Sequence, residues 1–302
     1  MLIKNILITG ISGTIGTRLA EKLLDKGYKV QGVDWRKNKW SKAVEKITFH
    51  YDLRDKAIFK KLPHNFDLII HLAANARVYN LVLDPSQARD NFETTFKTLD
   101  FARQNKIKNF IFASSRETYG NSGKIKYQEK DADLLNCESP YTASKMAGEA
   151  LVYAYHRCYL MDYIVFRFSN VYRMYDTSDR AVPLFMRLAK AGQPITIFGK
   201  DKLLDFTYID DCVGGIIQAI EKFNRTKNQT YNLAYGQGQS VLMLAKMIRT
   251  ICQSKSRIII KPTRTGEVMK FVADIKKAKQ TFGYCPKVSL SQGLKKSLEW
   301  YS

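Results

Sequence analysis

A chain of 302 residues, 45% hydrophobic and 25% charged, can bury a full core in one large domain or two of ordinary size, and its composition excludes disordered and fibrous classes. Its longest apolar runs, such as Leu68-Ile69-Ile70-His71-Leu72-Ala73-Ala74, have the length of a strand and fall far short of the roughly 20 residues of a membrane span. The 49 Lys and Arg against 28 Asp and Glu give +21, but the basic residues are scattered, which favours a solvated surface that draws in small anions over a dedicated nucleic-acid face.

Ile3 to Thr9 is predicted to be a buried strand. The start Met1-Leu2-Ile3 resembles a leader, but Thr9-Gly10 interrupts the apolar run and no small-residue cleavage site follows. Gly10-Ile11-Ser12-Gly13-Thr14-Ile15-Gly16 comes next, then the amphipathic run 17–24. Strand, Gly-x-x-Gly-x-x-Gly turn and helix in this order make a pyrophosphate cradle: the glycines permit a tight turn and close backbone approach, and the helix N-terminus faces the phosphates. A second predicted strand, 28–33, ends at Asp34, whose carboxylate fits adenosine ribose hydroxyls and repels a 2′-phosphate, so the expected cofactor is NAD rather than NADP. Arg36, two residues on, points the other way.

The segment 47–53 reads as a third strand whose Asp52 either meets an adenine edge or simply ends the strand. Strand 67–74 ends in Ala73-Ala74, small residues suited to a backbone passing beside a cofactor, and its His71 reads as a structural, hydrogen-bonded residue. A helix from about Pro85 to Asn105 and a strand 108–113 follow. Strands alternating with helices predict an α/β fold with a parallel, doubly wound sheet. Ligands of such sheets lie beyond the carboxyl ends of the strands, so Ser114-Ser115-Arg116-Glu117-Thr118-Tyr119-Gly120 should face the same crevice as the glycine turn.

Ser139-Pro140-Tyr141-Thr142-Ala143-Ser144-Lys145 opens the next helix, with Ser139 as its cap and Pro140 in its first turn. Tyr141 and Lys145 are one helical turn apart and share a face. A tyrosine ordinarily titrates at about 10, and a neighbouring cation favours the phenolate and moves the group toward use as a base near neutrality. The helix continues to Tyr159, where Tyr153, Tyr155 and Tyr159 form either an interface or ordinary core. A strand 163–167, a loop-rich stretch from Tyr172 to Val182, a polar connector 221–229 and a strand 230–234 returning to the main region complete the pattern. The expected organisation is a nucleotide-binding domain over 1–171, rejoined by 206–234, interleaved with a smaller mixed α/β domain over 172–302. The cysteines 137, 158, 212, 252 and 285 are odd in number, widely spaced and without a Cys-x-x-Cys pair, which favours reduced thiols in the cytoplasm; no metal site is expected.

Gly10-x-x-Gly13-x-x-Gly16, Asp34, Asp52-Leu53, His71-Leu72-Ala73-Ala74, Asn91, Ser114-Ser115-x-x-x-Tyr119-Gly120 and Tyr141-x-x-x-Lys145 together resemble the extended short-chain dehydrogenase/reductase family, specifically its NAD-dependent nucleotide-sugar epimerases and dehydratases. Arg167-Phe168-Ser169-Asn170-Val171-Tyr172, Asp205-Phe206-Thr207-Tyr208-Ile209-Asp210-Asp211, Arg264-Thr265-Gly266-Glu267 and Ala273-Asp274 extend the likeness over essentially the whole chain. The resemblance implies a Rossmann domain holding NAD through Gly10, Ser12, Gly13, Thr14, Ile15, Gly16, Asp34, Asp52, Leu53, Leu72, Ala73, Ala74, Asn91, Tyr141 and Lys145. Tyr141 would take the proton of a sugar 4-hydroxyl as hydride leaves C4, Lys145 would hold the nicotinamide ribose and lower the Tyr141 pKa, and Ser115 would hydrogen-bond the same oxygen. Asn170 would meet the diphosphate and Arg264 the phosphate or nucleoside end of the substrate. A homodimer built from two helices of each chain is implied as well; the short apolar runs and scattered basic residues argue separately against a membrane or a dedicated nucleic-acid partner.

Three departures bear on the outcome. Arg173-Met174-Tyr175 stands where many members have Gly-Pro. Leu204 replaces an arginine expected just before Asp205, with Lys200, Lys202 or Arg180 as substitutes. Arg116-Glu117 stands where dehydratases and uronate decarboxylases carry acids. Glu117 either abstracts a C5 proton or is a structural carboxylate paired to Arg116 or Arg77, and Arg116 cannot protonate a departing 6-hydroxyl. The expectation is therefore an epimerase interconverting UDP-hexoses at C4 through a transient 4-keto sugar. The alternatives are a dehydratase, or a UDP-glucuronate decarboxylase or epimerase, using Glu117 as base, and a non-catalytic NAD-binding scaffold.

Overall fold

The computed structural model describes residues 3–301; Met1 and Leu2 of the apolar start, and Ser302, lie outside the described residues. Seven strands form one parallel sheet in the spatial order Gln229–Leu233, Asp162–Phe168, Asn109–Ser115, Leu68–His71, Asn5–Thr9, Lys29–Asp34, Thr48–His50. The chain winds outward in one direction from Asn5–Thr9 and in the other from Leu68–His71. The point where the order reverses is the crevice between those two strands.

Side chains alternate strictly between the faces, as strand geometry dictates. Ile6, Ile8, Leu68, Ile70, Ile111, Ile164 and Phe166 point into a core shared with the helices Thr14–Asp25 and Ile209–Glu221. Leu7, Ile69, Phe110, Phe112 and Val165 point into the opposite core, against Ser86–Gln104 and Pro140–Tyr159. Both faces being covered explains why these strands read as continuous apolar runs. Each buried Ile or Leu contributes ~2 kcal/mol of transfer free energy.

The second lobe branches from the strand Asp162–Phe168 through Ser169. Asn170–Tyr172 runs parallel to Leu203–Tyr208, which pairs antiparallel with Gly238–Ser240, and Ile195–Phe198 pairs with Ile258–Lys261. Helices Ala181–Lys190, Val241–Ile251 and Leu290–Trp300 close its core around Met186, Ile197, Phe206, Leu244 and Leu294. Leu204, at the position of the expected arginine, is buried in this apolar cluster.

Some boundaries differ from the sequence reading. The cofactor-side helix begins at Thr14 rather than Thr17, and the third strand keeps only Thr48–His50 because Asp52 starts a turn in which it accepts the Arg54 amide. The connector after Glu221 holds the short helix Phe223–Thr226, and the helix Val78–Leu83 had no sequence signal strong enough to predict it.

Candidate active site

Gly10 takes φ +74°, and a Cβ there would lie 2.7 Å from the Ala73 nitrogen; at Gly16 it would lie 2.3 Å from the Gly10 carbonyl oxygen. The two glycines thus bring the turn against the end of Leu68–His71 and the helix against the turn, which no larger residue allows. Gly13 caps the helix Thr14–Asp25 without any side-chain bond to its first amides, and the buried Ser12 Oγ has no hydrogen-bond partner. Free amides, a positive helix end and an unpartnered hydroxyl fit a pyrophosphate. Asp34 is buried at the next strand end: Oδ2 accepts from the Ser12 amide at 3.0 Å and Oδ1 from the Arg36 amide at 2.9 Å. The Arg36 guanidinium sits 3.6 Å from the same carboxylate, so Asp34 offsets the one residue that pointed toward NADP. These residues would hold NAD: Gly10 to Gly16 its pyrophosphate and Asp34 its adenosine ribose.

The other wall is the helix Pro140–Tyr159. Ser139 caps it, its Oγ accepting from the Thr142 amide at 3.2 Å. Its inward stripe is Tyr141, Ser144, Lys145, Gly148, Glu149, Val152 and Tyr155. At Gly148 a Cβ would meet Phe112 at 2.4 Å, so the helix lies close enough to the sheet for Lys145 Nζ to donate to the Ala113 carbonyl at 2.8 Å. Burial pulls the Lys145 ammonium down to about 8, against the opposing pull of Glu149. Burial pushes the Tyr141 phenol up; its hydrogen bond with Ser115, then the charges of Arg180 and Arg116, pull it back. Lys145, the residue expected to lower it, lies over the Tyr141 ring at 5.8 Å and is not among those leading influences. Ser115, at the last position of its strand, also accepts from the Glu117 amide at 3.2 Å. His71, bonded to Thr9 at 2.8 Å and Thr95 at 3.1 Å, is driven by burial to about 3 and stays neutral.

Glu117 is buried and paired to Arg116 at 2.7 Å, while its Oε2 and the Arg116 Nη1 have no hydrogen-bond partner. Burial raises its pKa, with Arg116 and Lys202 opposing. Lys202 is itself buried and bound to Glu267 at 2.5 Å, so it is committed to a protein carboxylate rather than free for a phosphate. Arg180 lies 3.7 Å from Asp176, and Lys200 is exposed.

Asn91 gives both amide hydrogens to the protein, to the Asn75 carbonyl at 3.0 Å and the Ser144 hydroxyl at 3.2 Å, and accepts from the Asn75 amide at 2.7 Å. It therefore fixes the loop after Ala74 and the turn that carries Lys145. Asp52 lies in a half-exposed pair with Arg54 at 2.7 Å, beside buried Leu53. Asn170 Nδ2 donates to the Asp205 carbonyl at 3.0 Å. The Arg264 guanidinium is held between rings, 3.8 Å from the Phe198 centroid and 4.8 Å from that of Tyr79.

Three residues, Asp205, Arg167 and Glu149, make contacts that sequence reasoning did not assign. Asp205 is fully buried; its carboxylate accepts from the amides of Tyr235, Gly236 and Ala273, and burial lifts it to about 7. Arg167 grips Glu149 with two bonds of 2.9 and 2.7 Å, and Glu149 also takes a bond from Ser114, next to Ser115. The signal for Glu149 was its spacing, one further turn along the Tyr141–Lys145 face.

A pyrophosphate cradle, a ribose-directed carboxylate and a serine–tyrosine–lysine set at one end of a parallel sheet define a Rossmann-fold, dinucleotide-dependent enzyme. The chain belongs to the NAD dependent epimerase/dehydratase family, whose model matches residues 6–234. It is similar to the uncharacterized UDP-glucose epimerase YtcB of Bacillus subtilis, 32% identical over 98% of each chain. Among solved structures it is similar to the UDP-glucose 4-epimerase of Thermotoga maritima with UDP-glucose, at a TM-score of 0.91 and 29% identity over 98% of both chains. A mutant UDP-glucuronic acid 4-epimerase from Bacillus cereus, with NAD and a fluorinated UDP-sugar, aligns at a TM-score of 0.89 with 28% identity, also over 98% of each chain.

Proposed function

We propose that the chain is an NAD-dependent epimerase that inverts C4 of a UDP-sugar. The observation that carries this reading is the convergence of Ser115, Tyr141 and Lys145 beside the glycine turn while Glu117 is tied up by Arg116. Tyr141 takes the proton of the 4-hydroxyl and later returns it. Ser115 hydrogen-bonds the same oxygen, most strongly as charge develops on it, and Lys145 orients the cofactor ribose beside it. NAD, when bound, supplies the acceptor and the return donor for the C4 hydride. Ser115, Tyr141 and Lys145 are themselves buried, which limits the access of water at the ketone stage. Arg264, fixed between Phe198 and Tyr79, offers its planar fork to the diphosphate, and Asn170, whose amide donates to the Asp205 carbonyl, is the second residue proposed for it. The residues lining the cradle from Gly10 to Gly16, together with Asp34, Asp52, Leu53, Leu72 to Ala74 and Asn91, complete the proposed cofactor site, Asn91 by fixing its neighbours.

Epimerisation is favoured over dehydration because the position before Glu117 is an arginine, which cannot deliver a proton to a leaving hydroxyl. A hexose is the sugar proposed, in line with the similar Thermotoga maritima enzyme whose structure holds UDP-glucose. The proposed assembly is a homodimer: Phe92 and Phe96, one turn apart on Ser86–Gln104, and Tyr159 on the neighbouring helix are exposed apolar side chains on the helix pair. The five cysteines are free thiols, which supports a cytoplasmic setting; no helix among the described residues is long and apolar enough to cross a membrane. The test is to incubate the protein with UDP-glucose, UDP-N-acetylglucosamine and UDP-glucuronate and resolve the products by NMR. The expected product is the 4-epimer of a hexose; loss of water, loss of carbon dioxide, or no reaction with any of them counts against the reading.

A further inference from the structure

Six non-glycine residues among those described have φ in the left-handed region. Lys106, Leu160, Asn228 and Gln253 lie just past helix ends, where that conformation is an ordinary exit. Arg173, at +127°, and Tyr175, at +64°, follow a strand instead, and no helix exit accounts for them. Such backbone persists only where surrounding contacts impose it, and here the contacts are dense. Tyr301 Oη is shared between the carbonyls of Arg173, at 2.7 Å, and Asp176, at 2.8 Å. The Tyr175 ring packs edge-on against Trp300 at 5.2 Å and beside Trp40 at 6.0 Å, and those two indoles lie 5.4 Å apart.

The strap held this way reaches the cofactor cradle directly. The Tyr175 carbonyl accepts from Thr14 Oγ1 at 2.9 Å, and Thr14 is the first residue of the helix whose uncapped amides would hold the pyrophosphate. The Tyr175 hydroxyl bonds both oxygens of Glu21 at 3.0 Å, two turns along the same helix. Arg173 and Arg18 converge on Asp210 at 3.6 and 2.6 Å, tying the strap and that helix to a common carboxylate. At its far end the strap carries Arg180, whose charge acts on the Tyr141 phenol. One short segment therefore joins the phosphate turn to the C-terminal helix.

We infer that Tyr175 and Tyr301 are positioning residues for cofactor retention: Tyr301 and the indole pair hold the strap, and the strap holds Thr14 and the first turn of the phosphate-binding helix. The inference rests on the proposed NAD-dependent epimerase, since an enzyme that reuses one bound cofactor within each turnover gains from slow release. Residues that touch neither sugar nor reacting atoms would then set how long NAD stays bound.

The test is NAD dissociation from the loaded full-length protein, followed by fluorescence after dilution into a cofactor-consuming trap, with no sugar present. Tyr301→Phe keeps the ring and removes the bond to both strap carbonyls. Tyr175→Asn removes the ring but tolerates the left-handed backbone. Each is expected to speed release at least tenfold, with the double variant well short of the product of the two because both act through one strap. Far-UV circular dichroism and the kcat at saturating NAD are expected to change less than twofold. Release at the wild-type rate from either folded variant overturns the inference whether or not the protein epimerises sugars; a wild-type chain that binds no NAD overturns both this inference and the functional reading beneath it.

Discussion

Lys145 donates to the carbonyl of Ala113, two residues before Ser115 on the neighbouring strand, at 2.8 Å. This bond ties the helix that carries the proposed base to the strand that carries its hydroxyl partner, and it buries an ammonium to do so. Burial lowers that ammonium to about 8 from 10.5. Below pH 8 both folded and unfolded chains hold the proton, and the cost of the buried charge is constant. Between 8 and 10.5 the unfolded chain still holds a proton that the folded one has released, so stability rises with pH by ~3 kcal/mol in all. Lys145→Met lacks this term. Urea unfolding at pH 7.5 and 10.5 should show the variant gaining stability on the wild type at the lower pH and losing that advantage at the higher; an equal difference at both would show that the ammonium is not held down.

Tyr141 and Ser115 act on one oxygen but in different ways. Tyr141→Phe removes the base and should lower kcat on the order of 10³-fold, whereas Ser115→Ala removes one stabilising bond and should cost about 10²-fold. Both variants should keep bound NAD, measured by cofactor content after gel filtration. Loss of cofactor from either would assign it a binding role instead.

In the proposed cofactor site Asp34, held by the Ser12 and Arg36 amides, selects NAD by its charge. Asp34→Asn leaves Arg36 without its counter-charge, so NADP affinity should rise and NAD affinity fall, reversing or erasing the preference in a fluorescence titration with both cofactors. An unchanged preference would place the discrimination elsewhere.

Glu117 is paired rather than poised. Glu117→Gln should leave epimerisation within a few-fold of wild type and should not alter exchange of the C5 proton with solvent. Glu117→Ala strands Arg116 as a buried charge and should destabilise the fold by ~3 kcal/mol. A Gln variant that loses all turnover would make Glu117 a participant in the chemistry.

What could be read from the sequence was local. The Ser139 cap, the Tyr141–Lys145 face and the glycine turn with Asp34 are each set within a few residues by helix and turn geometry, and the alternation of strands and helices dictated the winding of the sheet. What could not be read depends on which distant elements meet. Thr14 and Tyr175 are 161 residues apart, and Arg167 meets Glu149 only because a strand passes under the helix that carries Tyr141. The pairing of Lys202, one of three candidate phosphate ligands, with Glu267 and the apolar surroundings of Leu204 likewise arise only from tertiary packing. The helix Val78–Leu83, which brings Tyr79 to Arg264, is too short for periodicity to reveal.

In the proposed reaction C4 of a UDP-sugar is oxidised and reduced again at one site with Tyr141 as the base. The most direct test of that reaction is turnover of UDP-glucose carrying deuterium at C4, followed by NMR and mass spectrometry. The prediction is a mixture of both C4 epimers with the deuterium retained at C4, and no epimer from Tyr141→Phe. Epimers formed with loss of the label to solvent, a dehydrated product, or full turnover by Tyr141→Phe would contradict it.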